Sequence, residues 1–278
     1  GESAEAALKD PAYLVVADPG FLANDGNRIL NVAAHSLRTL FRGISPQGFE
    51  PEYMEWTFGG EDDSCLTSSL TSGRTIRFRG TIDRVDLDHS GNAFRIIDYK
   101  SGNKSVDYTK LYHGLSVQLP AYLFAYQASH PDMAPAEAGY FHLTAPMISL
   151  GSLSGKPEAD KLSGMIEKEY KLRTMNIDRD LLPLAGRHAM AKIGEHCTRL
   201  FSGDFSAAPR LLPEKTAKPA CMFCDYIAVC GIDPANPPCL RLRELPISGT
   251  PDMKKPRKNT LFGDFLRAEY SEKDGDET

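Results

Sequence analysis

Apolar residues along the chain follow two repeats. From Asn27 to Arg42 (NRILNVAAHSLRTLFR) they recur at Ile29, Leu30, Val32, Ala33, Leu37, Leu40 and Phe41, close to the spacing of an amphipathic helix. A Gly/Pro-bearing segment, GISPQGFEP, ends that pattern. Between Tyr53 and Arg79 β-formers alternate with turn residues, which predicts strand, loop and strand. The clearest hairpin follows, as TIRFRGTIDRVDLD, then HSGN, then AFRIIDYKSG. Val117–Ser129 reads as a helix, AGYFHLTA at Ala138–Ala145 as a buried strand, and Glu158–Thr174 and Leu184–Phe201 as long amphipathic helices. A sheet with flanking helices makes the chain α/β or α+β. After Cys239 the sequence turns Pro-rich and charged and ends in SEKDGDET, read as a tail. The expected organisation is therefore a helical part over 1–47, a core over 48–240 and a charged tail over 241–278.

At 278 residues and 41% hydrophobic content, the chain can bury a substantial core without disulfides or metals. Its net charge of −5 leaves no broad basic footprint, so any nucleic-acid contact has to be local or shared with a partner. That predicts weak, strongly salt-dependent DNA affinity, helped by a small patch at Arg84, Lys104 and Lys110. Apolar runs such as LPAYLFAY fall far short of the ~20 residues of a membrane span, and no secretion signal opens the chain. A cytoplasmic location is the expectation. The opening GESAEAALKD resembles neither a natural start nor a targeting segment, and is read as the interior of a longer protein.

The hairpin carries the chemistry. Centring its turn between Ser90 and Gly91 sets Asp86 opposite Arg95, a favourable cross-strand pair, with Val85 against Ile96 and Leu87 against Phe94 on the other face. The same register brings Asp83 opposite Asp98 on the mostly apolar face, and Lys100 two residues further along it. Two carboxylates facing one another at roughly 5 Å repel. A divalent cation between them removes the conflict, and oxygen ligands beside phosphate suit Mg²⁺ or Mn²⁺ better than zinc. Lys100 adds a positive charge for a phosphate undergoing attack. By itself Asp-x-Lys is a common solvent-facing strand pattern. Here Gln118 and Tyr122 follow at i, i+4, sharing one helix face shortly after the hairpin; a capping Gln and a buried Tyr are the plainer reading of that pair.

Six cysteines are present, and Cys221, Cys224 and Cys230 form a C-x2-C-x5-C run that reads as metal or iron–sulfur ligation rather than disulfides.

Taken in order and spacing, GTIDRVD (Gly80–Asp86), IIDYKSG (Ile96–Gly102) and QLPAY (Gln118–Tyr122) resemble the motifs of the RecB-like branch of the PD-(D/E)XK nucleases. CMFCDYIAVC is similar to the C-terminal domain of the AddB-like components of bacterial helicase–nucleases. The resemblance covers about Gly48 to Pro234. It implies a restriction-endonuclease-like α/β core, a mixed central sheet flanked by helices, followed by a Cys-rich segment of iron–sulfur type. It also implies Mg²⁺-dependent exonucleolytic hydrolysis of DNA at broken ends beside an AddA-like partner. Asp83, Asp98 and the backbone carbonyl of Tyr99 would be metal ligands, Lys100 the catalytic lysine, and Gln118 with Tyr122 would lie near the DNA backbone. Cys221, Cys224 and Cys230 would hold a [4Fe–4S] cluster in the full-length protein, which this chain is expected to carry incompletely or not at all.

The sequence departs from that pattern in lacking an evident upstream His or Glu ligand and a fourth cysteine. His35 and Glu55 read better as surface residues, Cys197 as a buried helix residue, and Cys65 has no counterpart. Two other readings compete: a nuclease fold that binds DNA or a helicase without cutting, and a zinc module using Cys221, Cys224, Cys230 and Cys239, whose spacing is unusual for zinc.

Overall fold

Where the sequence alternates, the chain pairs into one five-stranded sheet. The computed structural model describes residues 48–60, 67–70, 73–102, 104–143, 173–206, 208–213, 220–231, 239–246 and 257–270, with single positions between 27 and 36. The sheet consists of β1 (Phe49–Phe58), β4 (Gly80–Asp88), β5 (Ala93–Lys100), β6 (Ala134–His142) and β7 (Arg173–Thr174), adjacent in that order. Two short strands, β2 (Thr67–Ser69) and β3 (Thr75–Arg77), form a separate ribbon. Another pair, β8 (Arg210–Leu211) and β9 (Leu240–Arg241), runs parallel.

The β4–β5 hairpin has the register expected of it: Val85 pairs with Ile96, Asp86 with Arg95 and Leu87 with Phe94. Its turn is closed by Asp88, whose carboxylate accepts the Ser90 hydroxyl at 2.7 Å and the backbone N–H groups of Asn92 and Ala93 at 2.9 and 3.0 Å. Gly91 adopts φ +70°, which a side chain would strain. After β5 the chain runs through α1 (Tyr108–Tyr112) and α2 (Gln118–Ser129) and returns as β6, parallel to β5. The helical connection is what a parallel pair requires.

One sheet face packs on these helices. Val85, Phe94, Ile96 and Ala138 are fully buried with Leu123 and Tyr126 of α2, and the Phe94 and Tyr126 rings lie 4.7 Å apart. Each such large apolar side chain contributes about 1.5–3 kcal/mol on burial. The other face holds charge. Asp86, inaccessible to solvent, accepts Arg95 Nε at 2.8 Å and Arg84 Nη2 at 3.0 Å, while the Arg95 guanidinium lies 4.9 Å from the Phe49 ring centre. Arg84 is therefore a buried structural partner of Asp86, not a member of a surface DNA patch.

Several boundaries differ from the pattern-based reading. The strand expected at Ala138–Ala145 runs over Ala134–His142, and the helix expected from Leu184 begins at Leu182 as α3 (Leu182–Phe201). Most of Glu158–Thr174 lies outside the described residues, but its last two residues are strand β7 rather than helix. The described positions within Asn27–Arg42 are helical, with Ile29 and Leu30 exposed; His35 and Cys65 lie outside the described residues.

The segment read as a charged tail needs correction. After a turn-like helix, α4 (Ile227–Cys230), it contains α5 (Lys258–Tyr270), whose Leu261, Phe262 and Leu266 are buried in the main core. A short apolar stripe between prolines and charges is enough to dock a helix when a partner face is waiting for it. That face includes His188 of α3, buried among the rings of Tyr112, Phe262, Phe265 and Tyr270. Among the described residues no helix is long and apolar enough to cross a membrane.

Candidate active site

The site forms where the sheet divides. β4 and β5 pair from Leu87–Phe94 to Arg84–Ile97. Past that point β4 stays with β1 as far as Gly80, and β5 stays with β6 as far as Lys100 opposite His142. Asp83 and Asp98, expected to be directly opposed, are thus the first residues beyond the paired section. The opening is spanned by Asp83, whose carboxylate accepts the Tyr99 backbone N–H at 2.7 Å.

Asp98 is almost inaccessible to solvent, at 1% exposure. Burial pushes its carboxyl above the usual carboxylate range; Lys100 opposes that shift through hydrogen bonding and charge, and the nearby charge of Asp83 reinforces it. Lys100 Nζ makes an ion pair with Asp98 Oδ2, yet no aligned hydrogen bond serves that oxygen. The contact is electrostatic and leaves Asp98 Oδ2 with unused acceptor capacity. Asp83, Asp98 and Lys100 are accordingly brought to one end of the sheet, on the face toward α2.

Tyr140 of β6 is adjacent to Asp98 in the parallel register and is a component that pattern reasoning missed. Its phenol, buried and raised in pKa chiefly by that burial, is hydrogen-bonded with Ser116 and feels the charges of both Asp98 and Tyr122. Tyr140 therefore links the strand fork to the start of α2. There Gln118 Nε2 donates to Tyr122 Oη at 3.1 Å, and the Tyr122 ring meets Phe58 edge-on at 6.0 Å. The i, i+4 pair does share one face, and Tyr122 combines the packing role with a polar tip near Tyr140. The side chain of Tyr99 is tied to the opposite face, against Phe141 at 5.9 Å, leaving only its main chain at the fork.

Lys104 is unremarkable as a charge in the sequence, but its place in the structure is not. Its Nζ lies 4.8 Å from the Tyr140 ring centre, and Lys100 Nζ lies 5.8 Å from the same centre. The signal that could have located it is its position in the loop immediately after the Asp-x-Lys strand. Lys110 caps differently: its backbone N–H donates to Asp107 at the start of α1, at 3.1 Å.

Among the described residues no group of three or more His, Cys, Asp or Glu side chains is placed to hold a metal ion. Glu55, exposed in β1 at φ 54°, does not complete a third carboxylate for Asp83 and Asp98. The cysteine expectation fails in this geometry as well. Cys221 lies in a 3₁₀ turn, Cys224 follows it, and Cys230 ends α4 before Gly231 at φ +71°. Cys224 and Cys230 are exposed, and the three thiols do not converge as a ligand group. Short turns with no buried side chain offer no core to draw the sulfurs inward. Cys197 on α3 and Cys239 are partly buried free thiols.

Comparison with known proteins adds to this geometry. The profile of the PD-(D/E)XK nuclease superfamily matches residues 3–231. The chain is similar to AddB of Clostridium tetani, one component of an ATP-dependent helicase/deoxyribonuclease, at 29% identity over 74% of this chain and 21% of that protein. It is likewise similar to the proteins of the same name from Geobacillus thermodenitrificans, 30% identical over 75% of this chain and 21% of the relative, and Moorella thermoacetica, 30% identical over 68% and 20%. The chain spans about a fifth of the length of these curated relatives.

Proposed function

The chain belongs to the PD-(D/E)XK nuclease superfamily, and from that premise we propose that it is the deoxyribonuclease domain of a helicase–nuclease, cutting DNA at the fork between β4 and β5. The observation that carries this reading is the meeting of Asp83, Asp98 and Lys100 at one opening of the sheet, with Asp98 Oδ2 buried and lacking an aligned donor.

In this reading Asp83 and Asp98, with the main-chain carbonyl of Tyr99, hold Mg²⁺ or Mn²⁺. The donor set fits: hard oxygens, two like charges at close quarters, and an acceptor with spare capacity. Such an ion, when bound, polarises a phosphoryl oxygen and lowers the pKa of a water. The chain's own groups do the rest. Lys100 offers donors to a non-bridging phosphate oxygen or to the attacking water, where a fixed cation favours the charge that builds up. Asp98, shut from solvent, keeps that region in a low-dielectric setting that strengthens both contacts. Gln118 and Tyr122 orient one another and present polar tips toward the backbone of a bound strand.

The resemblance to helicase/deoxyribonuclease components extends the proposal to exonucleolytic processing of broken DNA ends for recombination repair, beside an AddA-like partner in the cytoplasm. The iron–sulfur reading of Cys221, Cys224 and Cys230 rests on their spacing and on that resemblance; anaerobic iron and acid-labile sulfide analysis of the full-length protein tests it. A non-cutting DNA-binding module is the second reading, favoured by the want of a third acidic or histidine ligand among the described residues. Incubating the protein with linear single-stranded DNA in Mg²⁺, Mn²⁺ or EDTA, beside its Lys100→Ala variant, decides between them. Cleavage in metal alone, lost in the variant, is the expected result; intact DNA under every condition selects the binding module.

A further inference from the structure

Lys104 lies in the loop between β5 and α1, and three features fix it there. Its backbone N–H donates to the Gly102 carbonyl at 2.9 Å. Its own carbonyl accepts a hydrogen bond from Nε2 of His142, a residue only 6% exposed at the end of β6. Its ammonium rests against the Tyr140 ring, which it shares with Lys100. An exposed cation on an aromatic ring gains only about 0.5–1 kcal/mol. That is little return for crowding two ammonium groups onto one face.

The two lysines are not equivalent. Lys100 has Asp98 as its counter-ion, whereas no carboxylate among the described residues lies within ion-pair distance of Lys104. Burial and the repulsion of Lys100 lower the Lys104 pKa, so the group lacks an anion in the structure as it stands. A nuclease substrate supplies a phosphate at every nucleotide. We propose that Lys104, braced by Tyr140 and anchored through its carbonyl by His142, grips a second phosphate of the bound strand, beside the phosphodiester that Lys100 addresses. The inference rests on the nuclease reading above, and it assigns Lys104 to holding the strand rather than to the bond-breaking step.

A binding measurement that does not depend on cleavage tests it. The probe is a fluorescently labelled single-stranded oligonucleotide in EDTA, titrated with the protein across a series of salt concentrations. Lys104→Met keeps the stem on the Tyr140 ring and removes the charge. The expected result is weaker binding and a salt slope shallower by about 0.7, the amount for one phosphate contact on a single strand, with Lys104→Arg restoring the slope. In Mg²⁺ the Lys104→Met variant is expected to raise KM and retain kcat. An unchanged salt slope, or a loss of kcat at unchanged KM, overturns the inference. Absence of cleavage by the unmodified protein would instead count against the nuclease reading, and the EDTA titration would still report on Lys104.

Discussion

The Asp83 carboxylate accepts the backbone N–H of Tyr99 at 2.7 Å, just past the last paired residues of β4 and β5. A side chain here takes the part that a strand carbonyl would play in an unbroken ladder. The two strands can then diverge without leaving a buried donor unmatched, and the divergence makes room for chemistry next to Asp98. One carboxylate thus serves both the fold and the proposed site.

Asp83→Ala is expected to strand the Tyr99 N–H and cost about 1–3 kcal/mol in a urea titration. Asp83→Asn keeps an acceptor and loses less. Neither variant should cleave DNA, and cleavage by Asp83→Asn at the unmodified rate would remove Asp83 from the metal site.

Asp98 carries a cost when it is ionised. Its folded-state pKa is raised by burial, so the fold prefers the protonated acid. That preference is fully available below the ordinary carboxylate value of about 3.9 and is lost as pH rises through the folded pKa. Asp98→Asn is therefore expected to be more stable than the unmodified protein at pH 7 in EDTA, with the advantage shrinking toward pH 4, while its cleavage is abolished. Thermal melts at the two pH values check the sign. An Asp98→Asn variant less stable at pH 7 would show that the Lys100 pairing outweighs desolvation.

His188 has the opposite linkage. Nε2 donates to the carbonyls of Leu111 and Tyr112 at 3.2 and 3.1 Å, and Nδ1 lies 3.1 Å from the Tyr270 hydroxyl, so the neutral ring joins α3, α1 and α5. Burial lowers its pKa, helped by Lys192 and opposed by the two carbonyls and Glu195. The stability it contributes is present above the unfolded imidazole value of about 6.5 and lost as pH falls through the folded pKa. Urea midpoints should fall on acidification from pH 7, and His188→Gln should flatten that slope.

Phe262 of α5 is fully buried beside His188. Phe262→Ala is expected to cost about 3–5 kcal/mol, measured by chemical denaturation. A loss under about 1 kcal/mol, well below that range, would mean that α5 contributes little to the core.

The hairpin was legible in the sequence because both its determinants are local. Alternating side chains choose a face, and Asp88, Ser90 and Gly91 close a turn of fixed length, so Asp86 can meet only Arg95. The same local logic placed Asp83, Asp98 and Lys100 at one end of one face, and put Gln118 above Tyr122 on a helix. Other parts were decided over distance. β5 and β6 pair through a long helical crossover, and only that pairing sets Tyr140 beside Asp98 and His142 beside Lys100. Periodicity could name Tyr140 as a buried strand residue, but not as the ring under two lysines. Arg84 and Lys104 looked alike as charges; one was drawn to the far face by Asp86 and the other held at the fork by Tyr140. The α5 stripe was hidden among prolines and charges because its burial depends on a face assembled by α1 and α3. A repeat in the chain specifies which side of an element is apolar. What that side meets depends on which distant segments lower the free energy by covering it, and that is settled only when the whole chain packs.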